Sequence, residues 1–291
     1  MGRNAILLAD KAAGVTSFDC LGRIKREINR KSGHCGTLDR FAHGLMIVLC
    51  GCYTHLVPAF MGLDKTYEAL IGFGLTTDTL DPEGEVVQTG PVPSLEAVSA
   101  AVSALTGPQM QVPPVYSALH VDGKRSYKMA RSGQEVDLPP RSVTIHEAGI
   151  LSWEAPFLRI RLHVSKGTYI RSYARDLGRL CGSCAYVKEL YRTQIGPFSV
   201  SEALPAAEGF AGKVPESGNI GEALLERLPG TAVLGLSPEE ALKASNGYLK
   251  GSVLQRFPAD CSYVILKESG RTVCVCSAQE RKIICQVRGE A

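Results

Sequence analysis

The sequence has no hydrophobic run long enough to cross a membrane. Its apolar stretches, such as Leu45-Met46-Ile47-Val48-Leu49, fall far short of the ~20 residues a spanning helix needs. The start of the chain lacks a secretory pattern, because Asp10 cuts off the short segment Ile6-Leu7-Leu8-Ala9 before it could serve as a signal core. A myristoylation motif is also missing, since Ile6 stands where Ser or Thr is required. These absences lead us to expect a cytoplasmic chain with no membrane partner. Cys181-Gly-Ser-Cys184 has metal or redox spacing, but no second pair or histidine cluster completes a zinc site. We therefore expect neither a metal nor any other cofactor. Internal repeats and low-complexity tracts are absent as well.

What is present is ordinary for a globular protein: 291 residues, 45% hydrophobic and 21% charged. That length suits one large domain or a large one with a small companion. Ten cysteines are scattered along the chain, and buried reduced thiols are the expected state in a reducing compartment. Cys274 and Cys276 alternate along one segment, so they should share a strand face. Net charge is only +3, yet residues 1–40 carry eight Lys/Arg against four Asp/Glu, and residues 120–175 carry ten against five. Two basic regions within an otherwise acidic chain suit a polyanionic partner on one face, or simply a solvated surface.

The centre of the chain is Gly33-His34-Cys35-Gly36-Thr37-Leu38-Asp39-Arg40-Phe41-Ala42-His43-Gly44. Its three glycines permit sharp turns and close backbone approach to a ligand, and the apolar run that follows reads as a buried strand. Asp39 is thus a carboxylate on a glycine-punctuated loop anchored by a core strand. An Asp in such a loop ordinarily closes a turn; a scaffolded loop is also where catalytic groups are placed.

Around this loop the pattern alternates between elements. Asn4 to Ala9 reads as a strand. A helix follows with Thr16 or Ser17 as its cap and Asp19 in its first turn. Phe18, Leu21, Ile24 and Ile28 form its apolar face and Arg23, Lys25, Arg26 and Arg30 its basic one. Tyr67, Ala69, Ile71, Phe73 and Leu75 alternate as in a strand. Asp81-Pro82-Glu83-Gly84 reads as a turn, with Glu85-Val86-Val87 returning as a strand. Ser94 caps a second helix carrying Leu95, Val98, Val102 and Leu105. Pro113 to Ala118 is extended, and Lys124 to Gly133 reads as a short basic helix. Leu158 to Val164 is the clearest strand, with Arg159, Arg161 and His163 on one face. Lys166 and Arg171 stand near the start of the next helix, where cations oppose the helix dipole. They suit that place when each meets a carboxylate or phosphate; the alternative is plain exposure to water. From about Leu234 a helix at Pro238 to Leu242 and short strands at Tyr263–Leu266, Thr272–Cys276 and Ile283–Val287 form a small β-rich module.

Several of these segments together resemble the bacterial tRNA pseudouridine synthase B family. The residues that carry the resemblance run from Gly33 through Asp39 to Gly44. They continue through Lys65-Thr66-Tyr67-Glu68, then Thr77-Asp78-Thr79 with Asp81 and Gly84, and Pro113 to Ala118. The remainder are Asp122-Gly123-Lys124, Tyr127, Ala130-Arg131 and Ser165-Lys166-Gly167-Thr168-Tyr169-Ile170-Arg171. The resemblance covers about residues 4–200 in unbroken order. It implies an α+β pseudouridine synthase fold, with a central, mostly antiparallel mixed sheet and flanking helices. A catalytic domain over residues 1–232 would be followed by a short PUA-like RNA-binding module over 233–291. It implies conversion of a uridine in the T loop of tRNA, position 55 in tRNA numbering, to pseudouridine by base flipping. The expected partner is the T-arm of tRNA, with no protein partner and a monomeric chain.

By the same resemblance Asp39 is the essential carboxylate, Tyr67 packs against the target base and is a candidate proton acceptor, and Arg171 pairs with Asp39. Tyr169 and Leu190 line the uracil pocket, His34 fills the space the flipped nucleotide leaves, and Asp78 and Lys11 join the substrate-binding set. Asp39 could act as nucleophile at C1′ or C6, or as base at C2′. The chain departs from the family pattern in two places. Where the family continues Asp-Pro-Leu-Ala-Thr/Ser-Gly, this chain has Asp39-Arg40-Phe41-Ala42-His43-Gly44, and Ala12 follows Lys11 where the family has proline. The alternatives on the same residues are a non-catalytic tRNA-folding chaperone and a pseudouridine synthase acting on another RNA.

Overall fold

The computed structural model describes residues 2–117, 120–121, 124–125, 138–210, 212–214 and 220–287. In chain order the elements begin with β1 (Ala5–Lys11), α1 (Ser17–Glu27), β2 (Ser32–His34), β3 (His43–Cys50) and α2 (Val57–Met61). Next come β4 (Lys65–Phe73), β5 (Leu75–Thr77), β6 (Val86–Thr89), α3 (Leu95–Ala104), β7 (Gly107–Gln111), β8 (His120–Val121) and β9 (Lys124–Arg125). The chain continues through β10 (Arg141–Glu154), β11 (Phe157–Val164), α4 (Ile170–Leu180), β12 (Ala185–Ile195), β13 (Phe198–Ser199) and β14 (Leu204–Pro205). It ends in α5 (Ala223–Glu226), β15 (Thr231–Gly235), α6 (Pro238–Ser245), α7 (Gly251–Leu254), β16 (Tyr263–Glu268), β17 (Arg271–Ser277) and β18 (Lys282–Gln286). Two compact units result. One comprises residues 1–40, 44–62 and 196–291; the other comprises 41–43 and 63–195.

In the first unit β1 runs antiparallel to β3 and parallel to β14, and β2 pairs antiparallel with β3. Ile6, Leu7 and Leu8 meet Leu49, Val48 and Ile47 across the β1–β3 ladder. All six are buried, so both faces of the pair are covered and the strands read as apolar runs rather than as alternation. The cap of α1 is Thr16. Its hydroxyl accepts from Asp19 N at 3.1 Å, and the Asp19 carboxylate accepts from Thr16 N at 3.3 Å, a capping box. The Thr16 hydroxyl, donating to the Asp19 carboxylate, is the main cause that holds this carboxyl below its usual range. Cys20, Leu21, Ile24 and Ile28 are buried, but Phe18 is 75% exposed, which corrects its expected place on the apolar face. Capping puts Ser17 at the first helical position and directs it inward, and Phe18, one residue on, is turned away by the ~100° step of the helix.

The first unit also holds a second sheet, in which β15 lies parallel to β16 and β17 and β18 follow antiparallel. Leu236, Ala241, Ala244, Val253, Val264, Leu266, Cys274 and Cys276 make its core. Cys274 and Cys276 do share a face, their sulfurs 3.9 Å apart, and all ten cysteines are free thiols. Glu202 accepts from Arg227 Nη1 at 2.6 Å and from Ser199 N at 3.0 Å. The Arg227 guanidinium beside it holds this carboxyl at about 2. Because that value lies below the unfolded one, Glu202 stabilises the fold above about pH 4.5, and the contribution is lost as pH falls toward 2. The side chain is 40% exposed, so solvent limits the effect to under about 1 kcal/mol. Melting curves of Glu202→Gln should therefore fall slightly below wild type at pH 7 and converge with it near pH 2.

The second unit is built on five antiparallel strands in the order β12, β4, β11, β10, β7. Its core includes Ile71, Phe73, Ile160, Leu162 and Val187. α4 packs on β12 and β4 through Ala174 and Leu177. The alternation expected for β11 is realised: Leu158, Ile160 and Leu162 are buried, and Arg159 and Arg161 face outward. β5 and β6 form a hairpin, the expected turn and return. Ser94 caps α3 as expected, its hydroxyl accepting from Ala97 N at 3.3 Å. Leu95 of that helix is exposed. Lys124 and Arg125 lie in β9 rather than in a helix, while the rest of the expected basic helix, together with Ala118, Asp122, Gly123, Tyr127, Ala130 and Arg131, falls outside the described residues.

Candidate active site

The Asp39 loop is shaped by two glycines and held by two ties. Gly36 has φ +115° and Gly44 φ +109°, a region that favours glycine. These positions flank the segment from Thr37 to His43. Within it, Leu38 N donates to Ser17 Oγ at 2.9 Å, and Ser17 Oγ donates to Leu38 O at 2.8 Å. Two residues later Gly14 N donates to Arg40 O at 2.8 Å, and Arg40 Nε donates to Gly14 O at 3.0 Å. Asp39 is half-buried, with a tie on one side of it to the first residue of α1 and on the other to the β1–α1 turn.

Ser17 and Leu38 are both buried, so Ser17→Ala would leave the Leu38 N–H and C=O without that hydroxyl in a dry place. The cost should be about 1–3 kcal/mol, read as a lowered melting temperature.

Lys11 is fully buried, and its ammonium donates to Val15 O at 2.7 Å, Ala12 O at 3.0 Å and Arg40 O at 3.4 Å. This lysine, expected in the substrate-binding set, has its ammonium among carbonyls of the turn and of the loop. His34 lies in β2, opposite Val48 of β3.

In the second unit, Tyr67 of β4 is buried and pairs across the ladders with Leu162 and Arg192. Its neighbour two residues on, Ala69, lies opposite Leu190, so Tyr67 and Leu190 share one sheet face. Arg192 shares that face and is buried at 1% exposure. On the opposite face the cations of β11 have acidic partners. Arg161 Nη2 lies 2.8 Å from Glu68, and Arg159 Nη2 lies 3.5 Å from Glu189. His43 stacks on Tyr191, with ring centroids 4.3 Å apart and planes at 13°.

Tyr169 precedes α4, and its backbone is gripped by the buried Gln111. Tyr169 N donates to Gln111 Oε1 at 2.8 Å, and Gln111 Nε2 donates to Tyr169 O at 3.1 Å. Two residues later Arg171 is buried and donates to Asp81 Oδ2 at 3.2 Å, Thr79 O at 2.9 Å and Tyr116 O at 2.9 Å. The cation expected to meet an anion at this helix start therefore meets a carboxylate, that of Asp81. Asp81 Oδ1 in turn accepts from Thr79 Oγ1 at 2.6 Å and Glu83 N at 3.0 Å. Asp78 is exposed and accepts from Glu85 N at 3.0 Å, which closes the turn before β6. A Cβ on Gly84 would come within 2.2 Å of the Asp78 carboxylate, so only glycine fits there. Lys166 is exposed. Among the described residues no group of His, Cys, Asp or Glu is arranged to hold a metal.

Residues 24–170 match the model of the TruB family pseudouridylate synthase, N-terminal domain. The chain is 46% identical over 203 residues to tRNA pseudouridine synthase B of Aromatoleum aromaticum, a match covering 69% of this chain and 66% of that protein. It is 43% identical over 204 residues to tRNA pseudouridine synthase B of Borreliella burgdorferi, covering 69% and 72%. The chain belongs to the TruB pseudouridylate synthase family. Two solved structures share its fold at lower identity. One is an H/ACA RNP bound to a substrate RNA containing 2′-deoxyuridine, at TM-score 0.65 and 19% identity, covering 98% of this chain and 85% of that one. The other is a Cbf5-Nop10-Gar1 complex, at TM-score 0.62 and 21% identity, covering 98% and 84%. At such identity they speak to the fold alone. The family-matched segment contains His34, Asp39, Tyr67, Asp78 and Tyr169, while Lys11, Arg171 and Leu190 lie outside it.

Sequence reasoning did not single out Gln111, Asp81 or Arg192 as parts of this framework. Asp81 stood in the turn signature, and its role needed only the question of which carboxylate meets Arg171. For Arg192 no local signal existed. Register shifts in β12 between Val187 and Glu189 and between Arg192 and Gln194 break the alternation that would have marked it as inward-facing.

Proposed function

We propose that this TruB-family chain isomerises a uridine in the T loop of tRNA to pseudouridine, with Asp39 as the essential carboxylate. The reaction breaks the N1–C1′ bond, turns uracil over and joins C5 to C1′; the proton on C5 leaves and N1 ends protonated, so nothing is hydrolysed and no second carboxylate must activate water, unlike a glycosidase. One positioned carboxylate suffices as nucleophile or base. The observation that carries the reading is the loop itself: a half-buried aspartate whose neighbours are tied, one to the first residue of α1 and the other to the turn before it, as a preorganised group must be.

In this reading Arg171 is the cation that pairs with Asp39. Tyr67 packs on the base and accepts a proton, Tyr169 and Leu190 bound the uracil, and His34 fills the vacated stack. Lys11 and Asp78 complete the substrate-binding set. Extruding the base costs a few kcal/mol, which contacts to the T-arm backbone offset. The small sheet of β15–β18 serves as the PUA-like RNA-binding module.

Support comes from family membership and from the names of the relatives. The test is to treat unmodified tRNA with purified protein and map the modified nucleotide. Pseudouridine confined to the T loop is expected. Product elsewhere in tRNA, or in other stem-loops at equal rate, would overturn the substrate assignment.

A further inference from the structure

We propose that Arg40 is a positioning residue for Asp39, acting by pinning the loop to the β1–α1 turn through its side chain. The proposal rests on the reading of Asp39 as the essential carboxylate. The residues on either side of Asp39 are held differently. Leu38 is held by a reciprocal pair of bonds to the buried Ser17 hydroxyl, and this tie is internal to the core. Residue 40 is held through its carbonyl, by Gly14 N at 2.8 Å and Lys11 Nζ at 3.4 Å. It is also held through its own side chain, by Nε to Gly14 O at 3.0 Å.

Bonds that converge on one carbonyl oxygen leave a peptide free to pivot about that oxygen. The guanidinium adds an attachment from a different atom, to the carbonyl of Gly14 in the next peptide along from the one whose N–H holds Arg40 O, so the pivot is blocked. The torsions between residues 39 and 40 are those that would swing the Asp39 side chain, and a displacement of ~1 Å can cost on the order of 10²-fold in rate.

In the turn that receives the pin, Lys11 Nζ holds the Ala12 and Val15 carbonyls, and Gly14 between them is left to residue 40. Gly14 sits at φ +80° with nothing within 4 Å of where a Cβ would lie. Its conformation is therefore held by its hydrogen bonds, and both its N–H and its C=O are bonded to residue 40. Because Arg40 is exposed, its tie adds little to global stability, and rate and melting should separate.

The experiment compares Arg40→Ala, Arg40→Lys and Gly14→Ala, as full-length protein, for kcat, KM for tRNA and melting temperature. Pinning needs the Nε–H of arginine, so Arg40→Ala and Arg40→Lys should both lose about tenfold or more in kcat, with KM within about twofold and melting unchanged. Gly14→Ala strains the turn at the other end of the same bonds and should lower kcat likewise. The double variant Arg40→Ala/Gly14→Ala should be no worse than the poorer single one, since the two act as a unit. Recovery of wild-type kcat by Arg40→Lys, a rise in KM at constant kcat, or multiplying losses in the double variant would each overturn the proposal. The first two would assign Arg40 to RNA binding through its charge. Failure of the Asp39 reading is separately visible: Asp39→Asn would then retain product, whatever Arg40 does.

Discussion

Asp39→Asn leaves tRNA bound and forms no pseudouridine. Asparagine is isosteric with aspartate and changes neither Leu38 nor Arg40, whose bonds hold the loop, so the fold and the RNA-binding surface should persist. What disappears is the one negative charge able to act as nucleophile or base at this position. A single positioned group of this kind supplies about 10²–10⁴-fold, and the reaction has no second carboxylate to fall back on. Tritium release from tRNA carrying [5-³H]uridine should therefore fall by about 10³-fold or more, while filter binding of tRNA stays within about twofold of wild type, since the phosphate contacts that dominate affinity are intact. Release at a tenth of the wild-type rate would remove Asp39 from the chemistry.

The second large effect is on stability. Asp81→Ala removes the carboxylate that meets Arg171 at 3.2 Å in a site where the two side chains are 7% and 5% exposed. The guanidinium would remain buried with the Thr79 and Tyr116 carbonyls, and the Thr79 hydroxyl and Glu83 N–H would lose their acceptor. Removing one partner of a buried pair costs about 3–5 kcal/mol. Asp81→Asn should cost less, because its amide oxygen can still accept from Thr79 and Glu83. Denaturant unfolding of the two variants measures the difference. If Asp81→Ala lies within 1 kcal/mol of wild type by that measure, the pair does not hold this turn. A fall in kcat that exceeds the unfolded fraction would show that the Asp81 turn also sets the direction of Arg171.

Much of the framework was legible in the residues because it is local. The cap at Thr16 with Asp19 depends on a spacing of three, the alternation of Leu158, Ile160 and Leu162 on a period of two, and the turn before β6 on a glycine that alone fits beside Asp78. Each is decided by torsion preferences and side chains within a few residues. The helix start left two readings open for Arg171 and Lys166, an anion or water, and the structure gives Arg171 a carboxylate and leaves Lys166 exposed.

Partners at long range were not legible. Nothing near Arg171 says that its carboxylate comes from 90 residues earlier, or that Gln111 grips Tyr169 across a separation of 58. Phe18 fitted the apolar spacing of α1 and yet faces solvent, because the cap set the helix phase one residue away.

The sequence by itself determined β1, β3, β4, β6, β11, β16–β18 and the caps of α1 and α3, since capping and alternation act within one or two turns of chain, while the catalytic candidate and the family came from the resemblance of several motifs in order. Only the tertiary structure decided that Lys11 is buried against carbonyls, that Arg171 is held by Asp81, and that the loop is tied at both Leu38 and Arg40. Those facts depend on strand register, bulges and the meeting of segments far apart in the chain, which no local pattern encodes.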